Sequence, residues 1–438
     1  MEKYGGYSQE IIEVFERKSI DIYDKIRIVK NGKEYVGLLM PRPFYGDPRC
    51  IVIKLSNGYN IGVAFDEKTR VELLEKSEGV RSPTLTAEEL EKSLGEVVIV
   101  NTGGTISSKV DYLTGAVYPA FSTKDLYAMV PEIKDIASIR ARPLFNILSE
   151  DMTPKHWETM AKVAYEEFKK GAVGVIFTHG TDTMHFSAAA LAFAVQRASG
   201  PIVFVGAQRS PDRPSSDAFL NLLSAVITAK KAPFAESVIV MHGESSDTYC
   251  YVHRGVKARK LHTSRRDAFK SVNDMPIAKV ENGKVVVIND RYIFREKTAN
   301  NIVLKPKFDG RVLLIKVYPG CSPEIIRWAI DSKYHGIVLE ATGLGHVPQP
   351  MVKYVEEAVA EGIPVAVTSQ CIWGRVNLNV YRRGVELIKA GAIPCEDMTP
   401  ETALVKLMWI LAQTRDLEEV RELMLRNFVY EINERLGL

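Results

Sequence analysis

Two apolar runs end in glycine-bearing polar stretches. Val97–Val100 leads into Asn101-Thr102-Gly103-Gly104-Thr105, and Val173–Phe177 leads into Thr178-His179-Gly180-Thr181-Asp182-Thr183. Ligands of open parallel sheets sit at the carboxyl ends of the strands. Glycine there allows positive φ and close approach, which places the next hydroxyl at the strand tip. Thr105 and Thr181 are therefore expected to face a common cleft, as side-chain oxygens suited to nucleophilic chemistry. Plainer readings stand beside this one. Thr-Gly-Gly-Thr can be an ordinary strand-to-helix turn, and Thr181-Asp182 can cap the helix that follows. The first stretch is neither G-x-x-x-x-G-K-[ST] nor G-x-G-x-x-G, so it is not a phosphate loop. Two such tips, in order and in one sheet, favour a site over a pair of turns.

The elements that must hold these tips are legible as an alternation. Strands are expected at Val97–Val100, Val173–Phe177, Ile202–Val205 and Val238–Met241, with helices near Lys155–Lys170, His185–Gln196 and Asp217–Lys230. Uninterrupted apolar strands separated by helices imply a parallel sheet covered on both faces. The same alternation restarts at Arg311 with "RVLLIKV", "GIVLEATG" and "PVAVTS", and finishes in the charged amphipathic "RDLEEVRELMLRNFVYEINERL". Ahead of both, residues 1–75 read as a small β-barrel domain with two Asn-Gly hairpins, at Asn31-Gly32 and Asn57-Gly58, preceded by a short amphipathic helix in "SQEIIEVFERKSI". The expected organisation is thus a barrel over 1–75, a charged linker over 76–95, an α/β domain over 96–290, a polar connector over 291–310 and a second, smaller α/β domain over 311–438.

Composition narrows the function classes. The chain has 438 residues, 46% of them hydrophobic, enough for several cores, and a net charge of only +3, which commits it to no polyanion. Its five cysteines, Cys50, Cys250, Cys321, Cys371 and Cys395, include no C-x-x-C pair and fit reduced core thiols. The eight histidines include no H-E-x-x-H, so a metal enzyme is not expected. The N-terminus lacks the apolar core of a signal peptide and no run reaches 18 apolar residues, so a cytoplasmic protein without a membrane span is expected.

"NTGGTISS" and "FTHGTDTMHFSAAALAF" resemble the two signature segments of the L-asparaginase family, and "GAQRSPDRPSSDAFLNLLSA" resembles that family's next strand and helix. The likeness runs from about Glu96 to the C-terminus. With the front segment, carrying "NGKEYVGLLMPR" and "KLSNGYNIGVAF", the chain is similar to the family of D-type subunits of archaeal glutamyl-tRNA(Gln) amidotransferases. That resemblance implies an asparaginase-like two-domain body behind a small barrel. It also implies a glutaminase subunit without a cofactor of its own, releasing ammonia for a partner, the amidotransferase's E-type subunit, which binds tRNA(Gln) and uses ATP and magnesium.

Carried over position by position, the family's primary nucleophile falls on Thr105 and its mobile-loop tyrosine on Tyr118. The pair of "HGTDT" falls on Thr181 and Asp182, and the lysine ahead of "FKSVN" on Lys260. Ser149 matches a serine that contacts the substrate's carboxylate, while Glu150 stands where many bacterial members carry glutamine. Backbone N–H groups around Gly104 and Gly180 are candidate oxyanion donors. A lysine takes a proton only as the free amine, a form disfavoured beside a carboxylate. The expectation is that the substrate's own ammonium engages Asp182 and loosens its hold on Lys260. The family also implies a homodimer through the body, hence an α2β2 complex, with a neighbouring C-terminal domain near "EATGLGHVPQ", where a surface turn is the alternative. Cys371 and Cys395 read as core thiols, and most of "HRGVKARKLHTSRR" reads as solvated surface. The front domain shows no stacking-aromatic RNA signature and reads as a partner-docking element.

Overall fold

Asn31 and Gly32 both carry positive φ, 50° and 76°, as a two-residue hairpin requires. In the computed structural model they join β1 (Lys25–Lys30) to β2 (Lys33–Leu39), followed by β3 (Cys50–Lys54), β4 (Asn60–Ala64) and β5 (Arg70–Glu75). The structure describes residues 4–42, 47–56, 60–76, 97–104, 106, 108–110, 117–119, 123, 126–127, 130–210, 215–296 and 298–435, with the backbone alone at 108–110, 117–119 and 131. The five strands form an antiparallel sheet in the order β4-β3-β2-β1-β5. Among the described residues its edge strands, β4 and β5, share no ladder. Helix α1 (Gln9–Arg17) lays Ile11, Ile12 and Phe15 into its core with Ile26, Ile28 and Ile51. The Asn57-Gly58 turn and positions 77–95 of the expected linker lie outside the described residues.

The next unit is built on β6 (Val97–Asn101), the hairpin of β7 (Ser108–Val110) and β8 (Val117–Pro119), β9 (Ile139–Pro143), α2 (Pro154–Lys169), β10 (Gly174–Thr178), α3 (Met184–Ala194), β11 (Val195–Gln196), β12 (Ile202–Val205), α4 (Ala218–Lys231), β13 (Ser237–His242), β14 (Tyr249–Arg254), β15 (Ala258–Lys260), β16 (Phe269–Ser271), β17 (Ala278–Glu281) and β18 (Lys284–Val287). Eight of these strands form one sheet, ordered β18-β17-β14-β13-β12-β10-β6-β9. The run from β13 to β9 is parallel, as expected; β14, β17 and β18 add on antiparallel, so the sheet is mixed. The chain moves from β6 outward to β9 and then returns to β10 on the other side of β6. The strand order therefore reverses between β6 and β10, the kind of switch point at whose carboxyl ends open α/β sheets bind ligands.

The smaller unit alternates β20 (Val312–Lys316), α5 (Glu324–Asp331), β21 (Gly336–Ala341), α6 (Gln349–Ala360), β22 (Val365–Ser369), α7 (Arg382–Lys389), β23 (Ile393–Pro394), α8 (Pro400–Leu411) and α9 (Leu417–Leu425); β19 (Val303–Leu304) pairs with β11. Its four strands are parallel, in chain order. The C-terminal amphipathic stretch is helical only to Leu425, and Val429, Ile432 and Asn433 beyond it are buried in irregular chain. A single apolar core joins the two units, with α3 buried almost all round against α8 and Phe193 stacked on Trp409 at 5.6 Å. Each such side chain fully buried contributes roughly 1.5–3 kcal/mol. The polar connector is not loose. The Arg295 guanidinium donates to the carbonyls of Val173, Ser199 and Ala232 and ties three loops together.

Two expectations are corrected by burial. Cys371 is exposed rather than a core thiol, and Cys50 is half-buried. Within "HRGVKARKLHTSRR" the segment 253–258 is buried, and Arg254 and Lys257 lie among the largest enclosed side chains. They are tolerated there because each meets carboxylate, Arg254 with Glu236 at 2.7 Å and Lys257 with Asp397 at 2.7 Å. Solvated surface begins at Leu261.

Candidate active site

The two tips are stitched together. Asn101 pairs with Thr178 across the parallel ladder. The Asn101 Oδ1 accepts from the Thr178 hydroxyl at 2.9 Å and from the Gly103 N–H at 3.0 Å, while the Thr102 hydroxyl donates to the Thr178 carbonyl at 2.7 Å. Beyond this seam the chains touch at their glycines. Gly104 has φ +83°, and a Cβ there would lie 2.6 Å from the Gly180 nitrogen. Gly180 in turn lies under Ser149, whose Cβ would be 2.7 Å from an added methyl. Backbone contact this close is available to glycine alone.

Thr181, Asp182 and Lys260 meet directly. The Lys260 ammonium, on β15, donates to the Thr181 hydroxyl at 2.8 Å and to the Asp182 carboxylate at 2.6 Å, across 79 and 78 residues of sequence. The Lys260 side chain is 8% exposed and that of Asp182 is 68% exposed. The plain capping alternative for this pair fails, because the N-cap of α3 is Thr183 and no side chain caps it. Thr183 instead donates its hydroxyl to the Ser149 carbonyl at 2.6 Å, pinning the Ser149–Glu150 turn against the second tip. Ser149 is buried, Glu150 exposed, and their side chains meet at 3.5 Å. The α3 N-terminus, with the positive end of its dipole, opens beside Thr181 and Asp182.

Behind the second tip a neutral relay fixes the Gly180 carbonyl. The Trp157 indole N–H reaches Ser187 Oγ at 2.9 Å, Ser187 meets His179 Nε2 at 2.9 Å, and His179 Nδ1 meets the Gly180 carbonyl at 2.7 Å. Burial pushes the His179 imidazole down to about 4, with the Gly180 bond opposing in part, so it is uncharged at neutral pH. His185 lies nearby and is pushed down to about 3, first by burial and then by the positive charges of Arg259 and Lys260. Its buried Nδ1 has no hydrogen-bond partner among the described residues.

Of the expected site residues, the structure brings together Gly104, Ser149, Glu150, Gly180, Thr181, Asp182 and Lys260. Thr105 lies outside the described residues, directly after Gly104, and Tyr118 is described as backbone, in β8 opposite Lys109. Asn101, Thr102, Thr178 and Thr183 hold the site and were given no role by the sequence reading. Their signal was present, since each stands in one of the two polar stretches quoted above. Near "GLGH", Thr342 and His346 close a small turn by backbone pairing, and the ring of His346 packs edge-on against Tyr381 at 5.3 Å. Among the described residues no group of three or more His, Cys, Asp or Glu is placed to hold a metal, and no helix is long and apolar enough to cross a membrane.

Fold and site together define an asparaginase-type protein. The asparaginase N-terminal family matches residues 96–292, the glutaminase/asparaginase C-terminal domain 311–424, and the GatD N-terminal domain 20–74. The chain is similar over 77% of its length to the thermostable L-asparaginase from Thermococcus kodakarensis, at 32% identity and TM-score 0.70, covering 99% of that protein. It is similar to the D-type subunit of glutamyl-tRNA(Gln) amidotransferase from Thermofilum pendens, 51% identical over 98% of this chain and 97% of the relative. The protein of the same name in Pyrococcus horikoshii is 51% identical over 96% and 97%. The chain belongs to the family of glutamyl-tRNA(Gln) amidotransferase D-type subunits, asparaginase-like proteins with an added front domain.

Proposed function

We propose that the chain hydrolyses glutamine to glutamate and supplies the ammonia to a partner subunit, which converts Glu-tRNA(Gln) to Gln-tRNA(Gln) with ATP and magnesium. The observation that carries this reading is the Lys260 amine held at hydrogen-bond distance from both Thr181 and Asp182 beside the touching glycines of two strand tips. A strand-tip threonine attacks the side-chain carbonyl of glutamine, its hydroxyl proton passes to a basic side chain, and the tetrahedral oxyanion is met by backbone N–H groups. Collapse expels ammonia, which takes a proton as it leaves. Water then cleaves the resulting ester and restores the hydroxyl.

By the family correspondence Thr105 is the primary nucleophile, assisted by Tyr118, and Thr181-Lys260-Asp182 forms the second part of the machinery. The exposure of Asp182 supports a substrate ammonium as its second partner, an engagement that loosens its hold on Lys260. Ser149 and Glu150 are assigned to the other polar end of the substrate. In our reading the front domain docks the E-type subunit or the tRNA complex, and the body pairs with a second copy to give α2β2. Exposed Trp373 and Tyr381, the latter packed on His346, support an interface near that turn.

The likeness to a free-standing L-asparaginase supports a second reading, in which the chain works unassisted. One assay separates them: ammonia release from glutamine by the chain alone, and with the partner subunit, ATP-magnesium and Glu-tRNA(Gln). A large rise in the complete mixture is expected. Full turnover by the chain alone, unchanged by the additions, would overturn the amidotransferase reading.

A further inference from the structure

Strand β15 carries Lys260 but is three residues long, and among the described residues it pairs with β16 rather than with the eight-stranded sheet. Something else must aim it. Side chains alternate along an extended chain. Ala258 and Lys260 share one parity, with Ala258 packed in the core and Lys260 reaching Thr181 and Asp182. Arg259 has the other parity, and both it and Lys257, in the turn just before the strand, meet carboxylates of the C-terminal domain. Lys257 contacts Asp397 at 2.7 Å, with both side chains enclosed, and Arg259 contacts Glu401 at 3.1 Å. The same stretch of the C-terminal domain also holds the backbone. The Thr402 hydroxyl donates to the Val256 carbonyl at 2.8 Å, and Asn273, just past β16, donates its amide to the Asp397 carbonyl at 3.0 Å.

We propose that Asp397 and Glu401 are positioning residues for glutamine hydrolysis, gripping Lys257 and Arg259 so that the intervening strand delivers the Lys260 amine to Thr181. This rests on the proposed role of Lys260. A proton-transfer partner must stay within about 2.6–3.2 Å of its target, and a misplacement near 1 Å costs as much as about 100-fold. Four rotatable side-chain bonds cannot hold that tolerance unless the backbone beneath them is fixed. The grip is electrostatic and shape-specific. Glu401 is enclosed enough that burial raises its carboxyl, against the pull of Arg259, and its Oε2 has no hydrogen-bond partner among the described residues. Because the gripping residues lie in one domain and the threonine in the other, domain docking and the Lys260–Thr181 distance are one mechanical unit.

The test is a double-mutant cycle on the full chain, reading ammonia release from glutamine in the mixture that gives the highest rate: Glu401→Gln, Arg259→Met and the pair, with Asp397→Asn as a shape-preserving second probe and Lys260→Met as the reference. Each of the first three is expected to lower kcat about tenfold with KM within about twofold, the pair being no worse than the poorer single change. Thermal midpoints report folding separately, and a variant that does not fold is replaced by Asp397→Asn, for which the same loss of kcat is expected. Unchanged kcat in folded Glu401→Gln or Asp397→Asn, or additive losses in the cycle, would overturn the proposal. Full activity of Lys260→Met would instead remove the role of Lys260 itself.

Discussion

An ammonium 2.8 Å from a hydroxyl and 2.6 Å from a carboxylate is an ordinary ion pair until one asks what else the hydroxyl touches. Thr181 follows Gly180, which is pressed between Gly104 and Ser149, so the hydroxyl stands where two strand tips and a turn converge. This convergence was partly legible in the sequence. Glycine followed by threonine at the end of an apolar run states where a hydroxyl will sit, and only the choice between site and helix cap had to wait for Thr183 to be seen as the N-cap. Lys260 was reachable through family likeness alone, because nothing local distinguishes it from Lys257. One amine reaches the site and the other is buried on Asp397, 140 residues away. That distance is also why Lys257 was misread as surface, while Arg254 pairs with Glu236 only 18 residues away. Replacing Lys260 with Met is expected to lower kcat for glutamine by about 10²–10⁴, the usual contribution of a proton-transfer group, with little change in KM. Steady-state ammonia release checks it, and a loss confined to KM would contradict the assignment.

The elements that carry the tips were read closely, since fully buried parallel strands advertise themselves as unbroken apolar runs: Ile202–Val205 occupies the expected positions and Val97 begins β6. The three antiparallel edge strands escaped because β14 mixes polar and aromatic residues and β17 and β18 are four residues each. The pairing of β14 with β13 is recorded by no local pattern, and β17 and β18 are placed in turn by β14 and by each other. At this scale the contact between the β6 and β10 tips is the vulnerable point. Gly104→Ala would set a methyl 2.6 Å from the Gly180 nitrogen at φ +83°. The expected cost is about 1–3 kcal/mol of stability, together with a loss of glutaminase activity larger than the drop in folded fraction explains. Denaturant titration and the ammonia assay on one preparation give both numbers. A stable Gly104→Ala with full activity would mean that the tips do not meet in the working enzyme.

Across the whole molecule, one core joins the two α/β units while the front sheet keeps its own, touching the body through Ser215 N–H on the Asn60 carbonyl and Lys54 over the Phe219 ring. The histidines enclosed by these cores set the acid limit of the fold. Burial pushes His179 down to about 4 and His185 and His253 down to about 3, below the usual value near 6.5. Below pH 6.5 the unfolded chain gains protons that the native chain refuses. Each histidine therefore removes about 1.4 kcal/mol per pH unit until its folded value is reached. His242 works the other way: burial opposes its charge, bonds to Asp247 and Cys250 outweigh that, and it is pushed up to about 10. Its contribution is complete below pH 6.5 and is lost as pH rises toward 10. Unfolding free energy from denaturant titrations is expected to peak near pH 6.5 and to fall on both sides, more steeply toward acid. A flat profile from pH 6.5 to 4 would contradict it.

The most direct measurement of the site is chemical. A diazoketone analogue of glutamine, an electrophile that alkylates the nucleophile of a glutamine-hydrolysing site, is incubated with the full chain and the labelled peptide is mapped by mass spectrometry. The account predicts one adduct, on Thr105 or Thr181, that is lost when Lys260 is replaced by Met. An adduct on exposed Cys371, or labelling that survives the loss of both threonines, would contradict it.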